Sequence, residues 1–232
     1  MQVPDIIAVA HLRSLASGGL YQPVTGTVVG RHALFDRLAG AHRVTQITAP
    51  PGSGKTVLVH WWIGEAGLAE RAAWVSVQRQ ERDAQRFWIS VIKALGATAA
   101  GSTRVRSLTP APDLDGWAIV EWLLEDLGSL EDPVWLVIDD LHELRSAEAL
   151  SQLELLVMRS PAQLRFVLVT RHDQRLGLHR LRLEGGLTEI RAADLRFTLA
   201  EARALLDGAG VTLSEAALAQ LVERTEGWAA GL

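Results

Sequence analysis

Five short apolar runs, rich in β-branched residues, alternate along the chain with longer segments of helical periodicity. The run at residues 134–138 is continuously apolar, which is typical of a central parallel strand buried on both faces of a sheet. The alternation of strands and helices predicts an α/β fold built on a parallel sheet. The predicted strands are residues 43–48, 72–77, 134–140, 164–170 and 187–191.

The helical segments carry start signals. Asp83 precedes one of them as an N-cap, and Thr198 with Glu201 forms a capping box before another. Residues 225–232 begin a further helix within which the sequence stops, so we expect a fragment of a longer protein. The predicted helices are residues 33–38, 57 to 64 or 67, 84–95, 114–127, 146–158, 198–207 and 214–224.

A glycine-rich stretch joins the first predicted strand to the helix that follows it. It consists of Ala49, Pro50, Pro51, Gly52, Ser53, Gly54, Lys55 and Thr56, and Val57 then begins the helical periodicity. A strand, a loop and a helix in this order are the context that a phosphate-binding P-loop of pattern G-x-x-x-x-G-K-[ST] requires. Ala49 stands where the pattern has its first glycine and adds only a methyl group there. The alternative is a structural turn between a strand and a helix.

The chemistry of this stretch is that of a triphosphate site. Gly52 and Gly54 let the backbone turn tightly and direct successive N–H groups at phosphates, and the helix N-terminus favours the same anion. Lys55 would reach the β- and γ-phosphates, and the Thr56 hydroxyl would ligate Mg²⁺. We therefore predict that residues 49–57 bind the nucleotide.

Two carboxylates end the most apolar of the predicted strands. Asp139 and Asp140 lie at its carboxyl end, which is where α/β sheets place ligands. Asp139 would orient Mg²⁺ as a Walker B acid, and Asp140 would position or deprotonate the attacking water. The alternative is that both aspartates cap the segment that follows.

Two further positions are candidates for nucleotide contacts. Arg171 ends the fourth predicted strand and is placed to sense the γ-phosphate, or it is an ordinary surface arginine. Gly30 and Arg31 follow an apolar pair just before the first helix. They would cover the adenine base, or they form only the turn that enters the helix.

Composition narrows the function classes. The chain is 48% hydrophobic and 22% charged, as expected of a globular protein, and eight tryptophans predict a large core. The absence of cysteine excludes disulfides, thiolate catalysis and cysteine-based zinc sites. A net charge of −4 argues against a nucleic-acid-binding surface. No apolar run is long enough to span a bilayer, and no signal peptide is recognisable, so we expect a cytoplasmic protein.

These motifs together resemble the STAND class of signal-transduction ATPases, in the branch of MalT-like, large LuxR-type transcriptional regulators. The resemblance covers residues 28–232 and is most specific at residues 187–198 and 226–232. Other matching stretches are residues 29–31, 49–56, 74–77, 86–88, 136–142 and 167–171.

The resemblance implies a nucleotide-operated switch. ADP would hold the resting form, ATP with an inducer would permit self-association, and slow hydrolysis would reset the switch. DNA would be bound only through a C-terminal helix-turn-helix that this chain lacks. By position, Lys55 and Thr56 would bind phosphate and Mg²⁺, Asp139 would be the Walker B acid, and Arg171 the sensor. His142 would either contact the nucleotide region or merely start a helix.

The combined expectation is a P-loop NTPase with a parallel five-stranded sheet of order 5-1-4-3-2, flanked by helices and followed by a short helical region. We expect an N-terminal arm over residues 1–27, the NTPase domain over 28–197 and the start of a helical domain over 198–232. The predicted function is Mg²⁺-dependent binding and slow hydrolysis of ATP, used for regulation. The alternatives are a binding module without significant hydrolysis and a P-loop kinase or transferase acting on a small molecule.

Overall fold

A sheet of six strands forms the centre of the molecule, for which a computed structural model describes residues 7–8, 19–20, 27–40, 42–79, 82–105, 115–174 and 176–232. Within these residues the strands are β1 (Ile7–Ala8), β2 (Gly19–Leu20), β3 (Thr27–Val28), β4 (Val44–Thr48), β5 (Ala72–Ser76), β6 (Val134–Asp139), β7 (Leu164–Thr170) and β8 (Leu187–Arg191). The sheet has the order β2-β5-β6-β7-β4-β8, and β1 pairs separately with β3.

The predicted sheet is confirmed. Strands β8, β4, β7, β6 and β5 are parallel neighbours, which is the order 5-1-4-3-2 in the numbering of the predicted strands. Strand β2 was not predicted; it adds to the edge of β5 in the antiparallel direction. It lies inside the predicted arm, most of which falls outside the described residues. The division of the chain into three regions stays a prediction.

The helices cover both faces of the sheet. In the described residues they are α1 (His32–Ala39), α2 (Lys55–Glu65), α3 (Ala84–Gly96), α4 (Gly101–Arg104), α5 (Gly116–Leu127), α6 (Ala147–Arg159), α7 (His179–Leu183), α8 (Leu199–Gly208) and α9 (Glu215–Thr225). No helix in this part of the chain is long and apolar enough to cross a membrane.

The predicted helix starts are confirmed where the structure describes them. The Asp83 side chain accepts hydrogen bonds from the backbone at the start of α3, and Thr198 with Glu201 forms the capping box of α8. The predicted start at Leu114 lies outside the described residues. The expected last helix is not α-helical: after α9 the chain reverses at Glu226 and Gly227 and then forms a single 3₁₀ turn, Ala229–Gly231.

Alternate residues of the central strands serve two cores. On β6, Leu136 and Ile138 pack with α3, α5 and α6, whereas Trp135 and Val137 pack with α1 and α2. This two-sided burial explains why the strands are apolar at successive positions and not only at every second one. Helices α8 and α9 pack on each other around a separate small core of Ala202, Leu206 and Leu218.

The parallel register brings the carboxyl ends of three strands together. Thr48 at the end of β4 lies opposite Thr170 at the end of β7, and Ile138 near the end of β6 lies opposite Leu168. The segments that leave these strands therefore emerge side by side at one edge of the sheet. They are the glycine-rich loop, the acidic pair and the segment that begins with Arg171.

Candidate functional site

The loop between β4 and α2 has the backbone of an anion cradle. Gly52 and Gly54 adopt left-handed conformations, with φ of 76° and 81°, which residues with a Cβ rarely adopt. The Ser53 hydroxyl donates a hydrogen bond to the Pro50 carbonyl at 2.8 Å and closes the loop on itself. Helix α2 begins at Lys55, so its first backbone N–H groups and its dipole point into the loop.

The Lys55 side chain lies across this loop. Its Nζ donates to the carbonyl oxygens of Ala49 and Pro50 at 2.7 and 2.8 Å, and the residue is buried. Burial lowers the pKa of Lys55, and the nearby positive charge of Arg171 lowers it further, while Asp139 and Asp140 oppose the shift. The ammonium is thus held at the loop by two neutral carbonyls, which phosphate oxygens can replace with a stronger, charge-assisted partner.

The acidic pair lies beside the start of α2. The Thr56 side chain hydrogen-bonds the buried Asp139 carboxylate, which also accepts the Asp140 backbone N–H at 2.8 Å. Burial raises the pKa of Asp139 to about 6, and the neighbouring Asp140 adds to this rise. Asp140 itself adopts a left-handed conformation with φ of 52° and leaves its side chain half exposed. A local strain of this kind is common at functional sites.

The raised pKa of Asp139 predicts a pH-dependent stability. The usual value is 3.8, so above pH 6 the folded protein must hold a buried charge that the unfolded chain holds in water. This cost is fully present above pH 6 and disappears as the pH falls towards 4. In the absence of nucleotide and Mg²⁺, Asp139→Asn should therefore raise the free energy of unfolding at pH 7.5 by up to roughly 3 kcal/mol. Urea denaturation at pH 7.5 and pH 4 measures the difference. An equal gain at both pH values would contradict it.

Arg171 and His142 lie next to the same carboxylates. Among the described residues Arg171 has no hydrogen-bond partner, and its charge lowers the pKa values of both Lys55 and His142. His142 is buried, with Nδ1 3.8 Å from Asp140 and Nε2 3.5 Å from Glu143. Its pKa is lowered mainly by burial, which favours the neutral imidazole. The structure thus brings together all the residues predicted for the phosphate side of the site.

An apolar cavity of about 170 Å³ opens on the other side of the loop. Ser53, Gly54 and Val57 line it; their role in binding the nucleotide stays a prediction. The sequence did not identify several further lining residues, which are Phe35, Leu58, Trp61, Phe197, Leu205 and Ala229. Leu58 and Trp61 had a local signal, since they lie next to Val57 and one helical turn after it on α2; the others come from distant elements.

Arg31 contacts this cavity but directs its guanidinium elsewhere. It donates hydrogen bonds to the backbone carbonyls of the segment after β8, including Leu195 at 2.8 Å, and pairs with Glu201 on α8 at 3.1 Å. It also lies 4.8 Å from the centre of the Phe197 ring. Val29 lines the cavity from the same turn, whereas Gly30 is not part of its wall. Arg31 therefore joins the segment before α1 to the helical region.

These groups fit a nucleotide with Mg²⁺. The described residues contain no cluster of three or more His, Cys, Asp or Glu side chains that would hold a metal alone. A hydroxyl and one carboxylate, Thr56 and Asp139, instead match the way Mg²⁺ is held with few protein ligands and with phosphate oxygens. The apolar cavity beside the loop suits a base, since apolar walls with few polar groups are typical of such sites.

Comparison with known proteins agrees with this geometry. Residues 39–176 match the AAA domain family. The chain is 31% identical over 215 residues to the serine/threonine-protein kinase PknK of Mycobacterium tuberculosis (strain ATCC 25618 / H37Rv), covering 90% of this chain and 19% of the kinase. It is 30% identical over 213 residues to the HTH-type transcriptional regulator MalT of Cronobacter sakazakii, covering 89% of this chain and 23% of the regulator. The chain thus spans about a fifth of the length of these curated relatives.

A solved structure shares the fold. It is a STAND protein with a tetratricopeptide repeat sensor from Pyrococcus horikoshii, with a TM-score of 0.55 and 20% identity, covering 87% of this chain and 28% of that one. Together with the match to MalT, this confirms the resemblance inferred from the sequence motifs.

Proposed function

Because the chain belongs to the AAA domain family of P-loop NTPases, we propose that it is the ATP- and ADP-binding switch domain of a MalT-like transcriptional regulator. One observation carries the proposal. The glycine-rich loop with Lys55, the contact between Thr56 and Asp139, and an apolar cavity meet at one edge of the sheet. This combination suits phosphates, Mg²⁺ and a base in a single ligand.

Each residue of the site has a role in this proposal. The backbone of residues 49–57 surrounds the phosphates, and Lys55 exchanges its two carbonyl partners for phosphate oxygens. Thr56 and Asp139 hold Mg²⁺, which supplies positive charge to the phosphates when bound. Arg171 lies beside Lys55 and Asp140 and responds to the charge of a γ-phosphate. Val29, Phe35 and Trp61 enclose the base.

Hydrolysis is the next part of the proposal. Asp140 is half exposed next to the buried Asp139, so it can accept a proton from a water molecule while Asp139 holds the metal. We expect this hydrolysis to be slow, because it would serve as a timer for the switch. A domain that binds nucleotide without significant hydrolysis is the main alternative. Phosphorylation of a small molecule by ATP in the presence of this chain would instead favour a kinase or transferase.

The proposed regulation involves two partners, which are DNA and further copies of the same protein. The MalT relative is named as a helix-turn-helix regulator, which suggests that DNA binding belongs to another region of such a protein. The net charge of −4 also favours DNA binding by another region, because DNA is itself negatively charged. We further propose self-association of the longer protein in its ATP state and residence in the cytoplasm.

Equilibrium binding tests the proposed function directly. Labelled ADP and ATP are titrated against the wild-type chain with Mg²⁺ and with EDTA, and phosphate release is followed in the same samples. We expect both nucleotides to bind, Mg²⁺ to strengthen the binding of ATP, and phosphate to be released slowly. If neither ADP nor ATP binds, the proposal is overturned. Binding without phosphate release would favour the non-hydrolysing alternative.

A further inference from the structure

The segment that leaves β7 is anchored to the sheet two residues after Arg171. The Asp173 carboxylate accepts hydrogen bonds from the Gln46 amide at 3.3 Å and from the Thr48 hydroxyl at 3.5 Å. It also accepts from the Arg191 guanidinium at 2.6 Å, in an ion pair. Gln46 and Thr48 belong to β4 and Arg191 ends β8, so one carboxylate joins the segment after β7 to the next two strands of the sheet.

The two donors on β4 are fixed by the strand itself. Gln46 and Thr48 are buried, and they point to the same face of the sheet because they lie two residues apart. The Gln46 amide uses one of its two N–H groups for the Thr48 hydroxyl at 3.2 Å and directs the other at Asp173. Buried polar groups are almost always hydrogen-bonded, so Asp173 answers a requirement of the sheet.

The donor on β8 is held in place as well. The Arg191 guanidinium also donates to the Glu189 carboxylate, so its planar fork bridges two acidic side chains. The Arg191 backbone N–H donates to the Asp194 carboxylate at 2.7 Å. The anchor of Asp173 is therefore a fixed guanidinium and not a freely rotating surface side chain.

The position of Arg171 follows from the backbone that carries it. Among the described residues its side chain has no hydrogen-bond partner, yet its charge acts on Lys55. On one side of it the Thr170 hydroxyl donates to the His172 carbonyl at 2.8 Å, which closes a tight turn around Arg171. On the other side the chain is held at Asp173. Loss of the second anchor would free the turn to move relative to the phosphate-binding loop.

We propose that Asp173 is a positioning residue for Arg171: anchored to β4 and β8, it holds the Arg171 guanidinium where it meets the γ-phosphate of ATP. The inference rests on the proposed function, in which Arg171 responds to that phosphate. Asp173 acts through Arg171 and not on the nucleotide, and small displacements of a positioned group are costly. The distinction between ATP and ADP then depends on an ion pair outside the phosphate-binding loop, whereas the binding of ADP does not.

The ratio of two affinities tests the proposal. The Kd values of Mg-ADP and of the Mg²⁺ complex of β,γ-imido-ATP, which is not hydrolysed, are measured by isothermal titration. The Asp173 side chain is 64% exposed, so Asp173→Ala should fold. We expect it to weaken binding of the triphosphate at least about fivefold and to leave ADP binding unchanged. Asp173→Asn, which keeps an acceptor oxygen, should lie in between.

A second ion pair provides the matched control. Glu121 on α5 accepts from Arg159 on α6 at the same 2.6 Å, and both of these side chains are about as exposed as those of Asp173 and Arg191. Glu121→Ala should bind both nucleotides as the wild type does. A loss of triphosphate binding in Glu121→Ala equal to that in Asp173→Ala would overturn the inference.

A double-mutant cycle with Arg171 supplies a readout that a merely structural role would not change. Arg171→Ala alone should weaken triphosphate binding, and adding Asp173→Ala to it should have no further effect. A further loss in the double variant, wild-type affinities in Asp173→Ala or an equal loss for both nucleotides would overturn the inference. Wild-type affinities in Arg171→Ala would also overturn it and leave nucleotide binding standing. Failure of the wild type to bind either nucleotide would overturn the proposed function too.

Discussion

Replacing Lys55 with alanine should abolish the rise in Tm that Mg-ADP and Mg-ATP produce in the wild type. A ligand at a hundred times its Kd stabilises the folded state by about 2.7 kcal/mol, which corresponds to a rise of roughly 5–10 °C for a chain of this size. Among the described residues, Lys55 is the positively charged side chain that donates hydrogen bonds to the loop, and its acceptors are the Ala49 and Pro50 carbonyl oxygens. Its removal leaves the phosphate charge without its direct partner. Thermal unfolding with and without each nucleotide measures the effect.

The chain offers a matched control for this substitution. Lys93 is the only other lysine in the sequence and is exposed on α3. Lys93→Ala should retain the full nucleotide-induced rise in Tm. A similar loss in both variants would point to a general effect of charge, and an undiminished rise in Lys55→Ala would exclude this loop as the phosphate site.

Asp140→Asn should reduce ATP hydrolysis by on the order of 10²-fold or more while leaving nucleotide affinity close to that of the wild type. The amide keeps the size of the side chain, and asparagine tolerates the left-handed φ of 52° at this position. The side chain nevertheless loses its ability to accept a proton. Phosphate release under single-turnover conditions measures hydrolysis, and equilibrium titration with Mg-ATP measures binding.

A second aspartate provides the comparison for this prediction. Asp132 lies just before β6, whereas Asp140 lies just after it, so Asp132→Asn makes the same chemical change at the opposite end of the same strand. Asp132→Asn should leave hydrolysis unchanged. Equal hydrolysis by Asp140→Asn and the wild type would remove Asp140 from the mechanism, and a large loss of Mg-ATP binding would indicate a structural role instead.

The parallel sheet and the phosphate side of the site could be predicted because their signals are local. Strand β6 is apolar at every position up to Ile138 and then ends in two carboxylates, so its burial and its functional end are both visible in one short stretch. The glycine-rich loop is likewise contiguous with its strand and helix. The parallel arrangement then places the ends of β4, β6 and β7 together without any further information.

Most of the missed features depend on contacts between distant parts of the chain. The Arg31 guanidinium contacts residues more than 160 positions away. Nothing in the sequence around Arg31 distinguishes an arginine that binds this distant segment from one that contacts a base. Residues 226–231 were predicted to start a helix, whereas the left-handed Glu226 and Gly227 end α9 and the Ala230 N–H then bonds to the distant Gly52 carbonyl. The base cavity could not be predicted for the same reason, since its lining residues Phe35, Trp61 and Leu205 come from three separate helices.

Strand β2 has a consequence for aggregation. Its residues Gly19 and Leu20 pair with Trp74 and Ala73, so they occupy backbone groups that would otherwise form an open edge at β5. An unpaired edge strand is a template for pairing with another copy of the chain. Strand β8, at the opposite edge, carries the charged residues Glu189 and Arg191, which discourage such pairing. A fragment that begins at residue 28 would retain every described residue of the proposed nucleotide site and yet expose β5 to edge-to-edge association.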